Sequence, residues 1–261
     1  MVRETKVNFL SKPKLKNPVF IEGLPGIGYI GRNAAGYLVD ELGAVKFAEL
    51  LSPHFPPVVL LDPTKNGMIV GLKNEFYYYK AKSKDERDMI ILIGDSQSMD
   101  PQGHYVIADV ILEVLAMFGV KEIITIGGFG TGELNEDSAK VFGAAILPER
   151  VKTFEKLGVQ FKDTNIGQII GASGLLISLG QQKNMEGVCL MGETSGLLLS
   201  DPKSTEAVLG VLAKYLNIKL DMTKIEKKVK EIEKMIEKIE NLQTKLATHS
   251  KEHDDSLGYI G

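Results

Sequence analysis

The residues of this chain best spaced to do chemistry are glycines. Gly26-Ile27-Gly28-Tyr29-Ile30-Gly31 spells G-x-G-x-x-G after a short apolar run and ahead of a helical pattern. In a dinucleotide-binding turn this spacing lets the backbone approach a pyrophosphate, which rests on the helix N-terminus. Glu49, closing the next strand pattern, stands about where the ribose-binding acid of such a fold belongs. A strand-to-helix turn uses the same glycines without a ligand, for positive φ and close packing. Two more clusters, Gly127-Gly128-Phe129-Gly130-Thr131-Gly132-Glu133 and Gly192-Glu193-Thr194-Ser195-Gly196, and the polar run Asp95-Ser96-Gln97-Ser98, each follow an apolar run. If those runs are neighbouring parallel strands, their loops meet at one sheet edge, where backbone N–H groups can hold an anion. The plainer alternative is helix capping and tight turns. Gly26, Gly28, Gly31, Gly128, Gly130 and Gly132 are therefore the candidate ligand loop, and a nucleotide- or small-molecule-binding enzyme is the alternative function they support.

Side chains suited to proton transfer or metal binding are sparse. The histidines are His54, His104, His249 and His253. His104 near Ser96 or Ser98 would make a base–nucleophile pair, and its place at a helix start suits a cap or a surface position equally. His249 and His253 with Asp254 and Asp255 resemble a metal cluster, in a terminal stretch where only adventitious binding is expected. Cys189, the one cysteine, lies in the apolar run GVCLMG and reads as a small buried hydrophobe. It permits no disulfide within the chain, which fits a reducing compartment. No catalytic residue, metal or cofactor is expected.

The elements that must position these residues alternate between strand and helix. Segments 5–12, 17–22, 45–51, 58–62, 68–72 and 75–81 read as strands, with Asn66-Gly67 turning the fourth into the fifth. In EFYYYKA (75–81) aromatics alternate onto both faces, so one face is expected at the surface or at an interface. SPHFPP (52–57) excludes regular structure through its prolines. Segments 88–94, 121–128 and 187–193 are continuous apolar runs, as in parallel strands covered on both sides. Helical spacing appears from Ile30 to Leu42, from His104 to Phe118, and over 148–158, 171–184 and 202–216, the last capped by Ser200 or Asp201. The expected fold is α/β, a three-layer sandwich with a largely parallel central sheet over residues 1–220.

Beyond it, Ile225, Val229, Ile232, Ile236 and Ile239 recur at steps of four and three, with Lys and Glu filling nearly everything between. Residues 221–247 are thus expected as an amphipathic, coiled-coil-like helix. Its stripe is too narrow to bury alone, so it needs another subunit or the body of the protein. Residues 248–261 read as a flexible polar tail ending in Leu257-Gly258-Tyr259-Ile260-Gly261. At 261 residues, with a net charge of −3, 44% hydrophobic and 25% charged residues, the chain gives no general electrostatic case for nucleic acid. No run reaches the length of a membrane span, and the N-terminus lacks a signal-peptide pattern, so a cytoplasmic protein is expected.

Five segments, IEGLPGIGYIG, SPHFPP, IILIGDSQ, ITIGGFGTGE and MGETSG, together and in this order resemble the proteasome assembly chaperone family in its archaeal branch. The resemblance covers roughly residues 1–220 and continues into the helical C-terminus. It implies a phosphorylase/hydrolase-like α/β fold, homo-oligomers, no enzyme activity, and binding to the α-subunits of the proteasome core particle through a C-terminal tail. Tails of that kind end in hydrophobic–Tyr–any residue. Here Leu257, Tyr259, Ile260 and Gly261 are the matching residues, with Tyr259 third from the end. The extra residue displaces the carboxylate by up to about 3.5 Å.

Overall fold

A computed structural model describes residues 4–62, 64, 66–133, 139–162, 167–232 and 234. The chain opens with β1 (Lys6–Phe9) and β2 (Val19–Gly23), then a single 3-10 turn, Ile27–Tyr29, leading into α1 (Ile30–Leu42). β3 (Val45–Leu51), β4 (Val59–Asp62), β5 (Met68–Gly71), β6 (Asn74–Tyr79) and β7 (Met89–Gly94) follow. Then come α2 (Pro101–Met117), β8 (Glu122–Gly130), β9 (Val141–Ala145), α3 (Pro148–Glu155), α4 (Ala172–Gln182), β10 (Glu186–Thr194) and α5 (Pro202–Leu216). Segment 141–146, unassigned in the sequence, thus supplies a strand.

Among the described residues eight strands form one sheet in the order β1-β3-β6-β7-β2-β8-β10-β9, and β4 pairs with β5 in a separate hairpin. β7, β2, β8 and β10 run parallel, while β6, β3 and β1 on one side and β9 on the other pair antiparallel. The sheet is therefore mixed: parallel at its centre, antiparallel at both margins. The continuous apolar runs are the central strands, because only a strand covered on both faces needs apolar residues throughout. Between β3 and β6 no crossover helix intervenes, and without one a parallel return is not made.

Side chains alternate across the central strands. Phe20, Ile90, Leu92, Ile123 and Cys189 join Ile107, Ile111, Leu112, Leu176 and Ile177 in one cluster with α2 and α4. The opposite face meets α1 and α5. The result is a sheet with helices on both sides. The aromatics of β6 are consumed by the body. Phe76 and Tyr78 lie 5.9 and 6.1 Å from the Phe47 ring, Tyr77 donates to Glu75, and Tyr79 to Glu86.

Helix ends follow local chemistry. α2 starts at Pro101, three residues before the expected His104, because Asp100 accepts from the Gly103 N–H at 2.7 Å and Pro101 sits where no donor is needed. Gly43 (φ 64°) and Asn217 (φ 52°) end α1 and α5 in the left-handed conformation. The chain divides into Met1–Asp221 and Met222–Gly261. In the second unit residues 223–232 are helical, with Ile225 and Val229 buried and Ile232 half-buried. Ile236, Ile239, the histidine–aspartate cluster and the tail residues Leu257, Tyr259, Ile260 and Gly261 lie outside the described residues. Among the described residues no helix is long and apolar enough to cross a membrane.

Candidate functional site

Because β7, β2, β8 and β10 run parallel, the loops leaving their carboxyl ends share one edge of the sheet, the usual place for a site in an α/β fold. β8 and β10 are adjacent; β7 reaches them through β2. The glycines make close contact here. A Cβ on Gly31 would lie 2.4 Å from the Ile126 carbonyl oxygen, and one on Gly128 would lie 2.5 Å from that of Ile27. These two let α1 and its leading turn sit directly on β8. Gly28 (φ 62°) and Tyr29 (φ 51°) make that turn, and the Gly28 carbonyl accepts from the Asp201 N–H at 2.8 Å. Ile30 reaches toward Gly28 and Gly128, and Ile27 toward Gly130, so isoleucine side chains occupy the notch. Gly26 and Gly132 face open space. Of the six candidate glycines, Gly28, Gly31, Gly128 and Gly130 are thus brought together, and the chain itself fills much of what they enclose.

Glu49 is not the ribose-binding acid. β3 lies beyond β6 and β7 from β2, because its partners are β1 and β6. Its carboxylate contacts Lys46 and Lys73, each at 2.7 Å, and their hydrogen bonds hold it below the usual carboxylate range. The His104 pair does not form either: Ser96 Oγ donates to the Gln97 carbonyl and Ser98 Oγ to that of Asp100, at 2.7 and 2.9 Å. It is His54, in the proline-rich loop, whose Nδ1 lies 2.7 Å from Asp100 Oδ2. That contact ties the loop to the start of α2. Among the described residues no group of three His, Cys, Asp or Glu could hold a metal.

Beneath the edge lies a polar cluster that sequence reasoning missed. Glu22 is fully buried in β2; its carboxylate accepts from the Leu24 N–H at 2.9 Å and Ser173 Oγ at 3.1 Å. Burial pushes its pKa up to about 7, against those two hydrogen bonds. Thr125 donates to the Ser173 carbonyl, and Gln97 bridges the Pro25 carbonyl and the Ala172 N–H. These bonds join β2, β8 and the loop after β7 to the start of α4. The one sequence signal was an acid inside the apolar run VFIEG.

Much of what faces solvent at this edge is apolar, beside the exposed Thr131, Glu133 and Ser200. Ile27, Tyr29, Met99, Ile170, Leu197 and Leu199 are exposed, Ile170 and Leu199 by 80% and 82%. A Cβ on Gly196 would lie 3.9 Å from the Ile27 side chain, so the β2 and β10 loops meet. An exposed apolar patch of this kind marks a surface suited to an interaction. A separate groove of about 410 Å³, lined by Phe9, Lys12, Pro13, Lys14, Leu15, Met117 and Phe118, lies where α2 ends, away from the loops that α2 begins at.

Residues 20–240 match the PAC2 family. An uncharacterized protein of Methanocaldococcus jannaschii, MJ1210, is 38% identical over 250 residues, covering 95% of this chain and 93% of its own length. The crystal structure of Pyrococcus furiosus PbaB, described as an archaeal proteasome activator, superposes with a TM-score of 0.85 at 38% identity, covering 92% of this chain and all (100%) of that one. That of Pyrococcus furiosus PbaA, described as an archaeal homolog of proteasome-assembly chaperone, gives 0.72 at 27% identity, covering 97% and 99%. The match over residues 20–240, with 38% identity to MJ1210 and to PbaB over more than nine-tenths of the chain, leads to one conclusion: this chain belongs to the PAC2 family.

Proposed function

We propose that this protein is a non-enzymatic, cytoplasmic binding factor for the proteasome core particle, acting as an assembly chaperone or activator. The observation that carries the proposal is the likeness to PbaB in both sequence and fold over nearly the whole chain. The apolar rim at the sheet edge supports it, because a gripping protein needs contact area rather than reacting groups. On this reading the protein is a homo-oligomer, and Ile225, Val229, Ile232, Ile236 and Ile239 pack the C-terminal helix against neighbouring copies. Leu257, Tyr259, Ile260 and Gly261 then dock between α-subunits of the core particle. Several weak tails on one assembly bind tightly together through effective concentration.

Deleting residues 257–261 tests this. Co-sedimentation with purified core particle should be lost, while light scattering shows the protein's own assembly unchanged. Undiminished co-sedimentation would remove the tail from the mechanism.

A further inference from the structure

β1 ends the large sheet on one side and, among the described residues, pairs with β3 alone. The Leu10 N–H donates to the Phe47 carbonyl at 2.7 Å and so continues the ladder, which makes Asn8 and Lys6 face β3 as well. Alternation then turns the N–H and C=O groups of Val7 and Phe9 outward, and an open edge of this kind is a template for another strand. The Phe9 side chain lies on the α2 side of the sheet, its ring 6.4 Å from those of Phe47 and Phe118. There it lines the groove of about 410 Å³ at the end of α2, together with Leu15, Phe118 and Met117, the last 65% exposed. Lys12 and Lys14 line the same groove and are exposed, and Lys12 Nζ stands 5.7 Å from the centre of the Phe9 ring. Residues 5–21 hold four lysines and no acid, in a chain whose net charge is −3.

We infer that β1 and this groove form a docking site for an extended acidic peptide of another protein, added to the sheet beside β1 with one bulky apolar side chain in the groove. A strand laid there runs about 4.8 Å from β1, and its side chain opposite Phe9 falls on the same face, over the groove. Backbone bonds then hold the strand, while the groove and the lysines select it. Charge decides the occupant. The lysines repel a second copy of this edge and attract carboxylates flanking an apolar anchor. A nucleic acid would meet the same charge, but it has no strand to offer Val7 and Phe9. The site lies away from the loops at the carboxyl ends of the central strands and does not depend on what the C-terminal tail grips.

The test is fluorescence anisotropy of the full chain with a labelled peptide, Asp-Glu-Val-Phe-Val-Asp-Glu. Saturable binding is expected, with none for the peptide carrying Lys in place of every Asp and Glu. No saturable binding of the acidic peptide overturns the inference, as does equal binding of the basic one. The double variant Lys12→Glu with Lys14→Glu should bind about tenfold more weakly with circular dichroism unchanged, and undiminished binding overturns the inference. Displacement by a single-stranded oligonucleotide as readily as by unlabelled peptide would mark a general polyanion patch, which also overturns it. Should the double variant misfold, the wild-type chain decides with two N-methylated peptides. Methylating the Phe nitrogen and methylating both Val nitrogens should differ in effect by about tenfold, because only one set faces β1. Equal effects overturn the strand addition. None of these readouts passes through the core particle, so their failure would leave the proposed function standing.

Discussion

Glu22 sets the pH behaviour of the body. Its pKa rises from 4.5 to about 7 because the folded chain denies the carboxylate water. Between those values the folded state holds a proton that the unfolded state releases, so stability falls as pH rises through this window, by on the order of 3 kcal/mol. In Glu22→Gln the amide oxygen still accepts from Leu24 and the amide nitrogen donates to Ser173. The variant should melt several degrees above the wild type at pH 8 and show no such gain at pH 5; equal melting temperatures at both pH values would contradict this. Cys189 was legible as a buried hydrophobe, since its neighbours are apolar. Glu22 was not, because a parallel strand covered on both faces has no outward side, and the alternation that would place an acid in solvent is missing. The His54–Asp100 contact spans two loops, and no local spacing encodes it.

At the scale of elements, α5 hangs on Asp201. Its Oδ1 accepts from the Ser204 N–H at 3.0 Å, while its backbone N–H holds the Gly28 carbonyl. Asp201→Ala removes only the side-chain cap, so it should cost about 1–2 kcal/mol in urea unfolding, and Asp201→Asn should restore most of that. A loss much larger than this would mean that the Gly28 turn also depends on the carboxylate. The sequence offered Ser200 or Asp201 as the cap; geometry selects the aspartate. The central strands and main helices were readable from apolar runs and 3.6-residue spacing. The antiparallel margins were not, because the pairing of β3 with β6 joins residues far apart in the chain. The hairpin turn at Asn66-Gly67 was visible, but VVLLD looks like any buried strand, so its exposure came only from the structure.

For the molecule as a whole, five short segments in order carried the family where no single motif would, because each marks a loop at or near the sheet edge. The same glycines suggested a dinucleotide site, since a turn that accommodates a phosphate and a turn that accommodates a tightly packed helix require the same residues. The two readings part in a thermal-shift screen with nucleotides and phosphorylated metabolites. A ligand at a hundredfold its dissociation constant stabilises by about 2.7 kcal/mol. With Ile27 and Ile30 in the notch no such shift is expected, and a reproducible rise with any nucleotide would restore the ligand loop.

The composition of one face of the β4–β5 hairpin has a thermal consequence. Val59, Leu61 and Ile69 stand exposed on it with no charge for salt to screen, so anything that adheres there is held by water released on contact, a drive that fades on cooling. Adhesion through this face would weaken on ice and recover on warming, whatever the ionic strength.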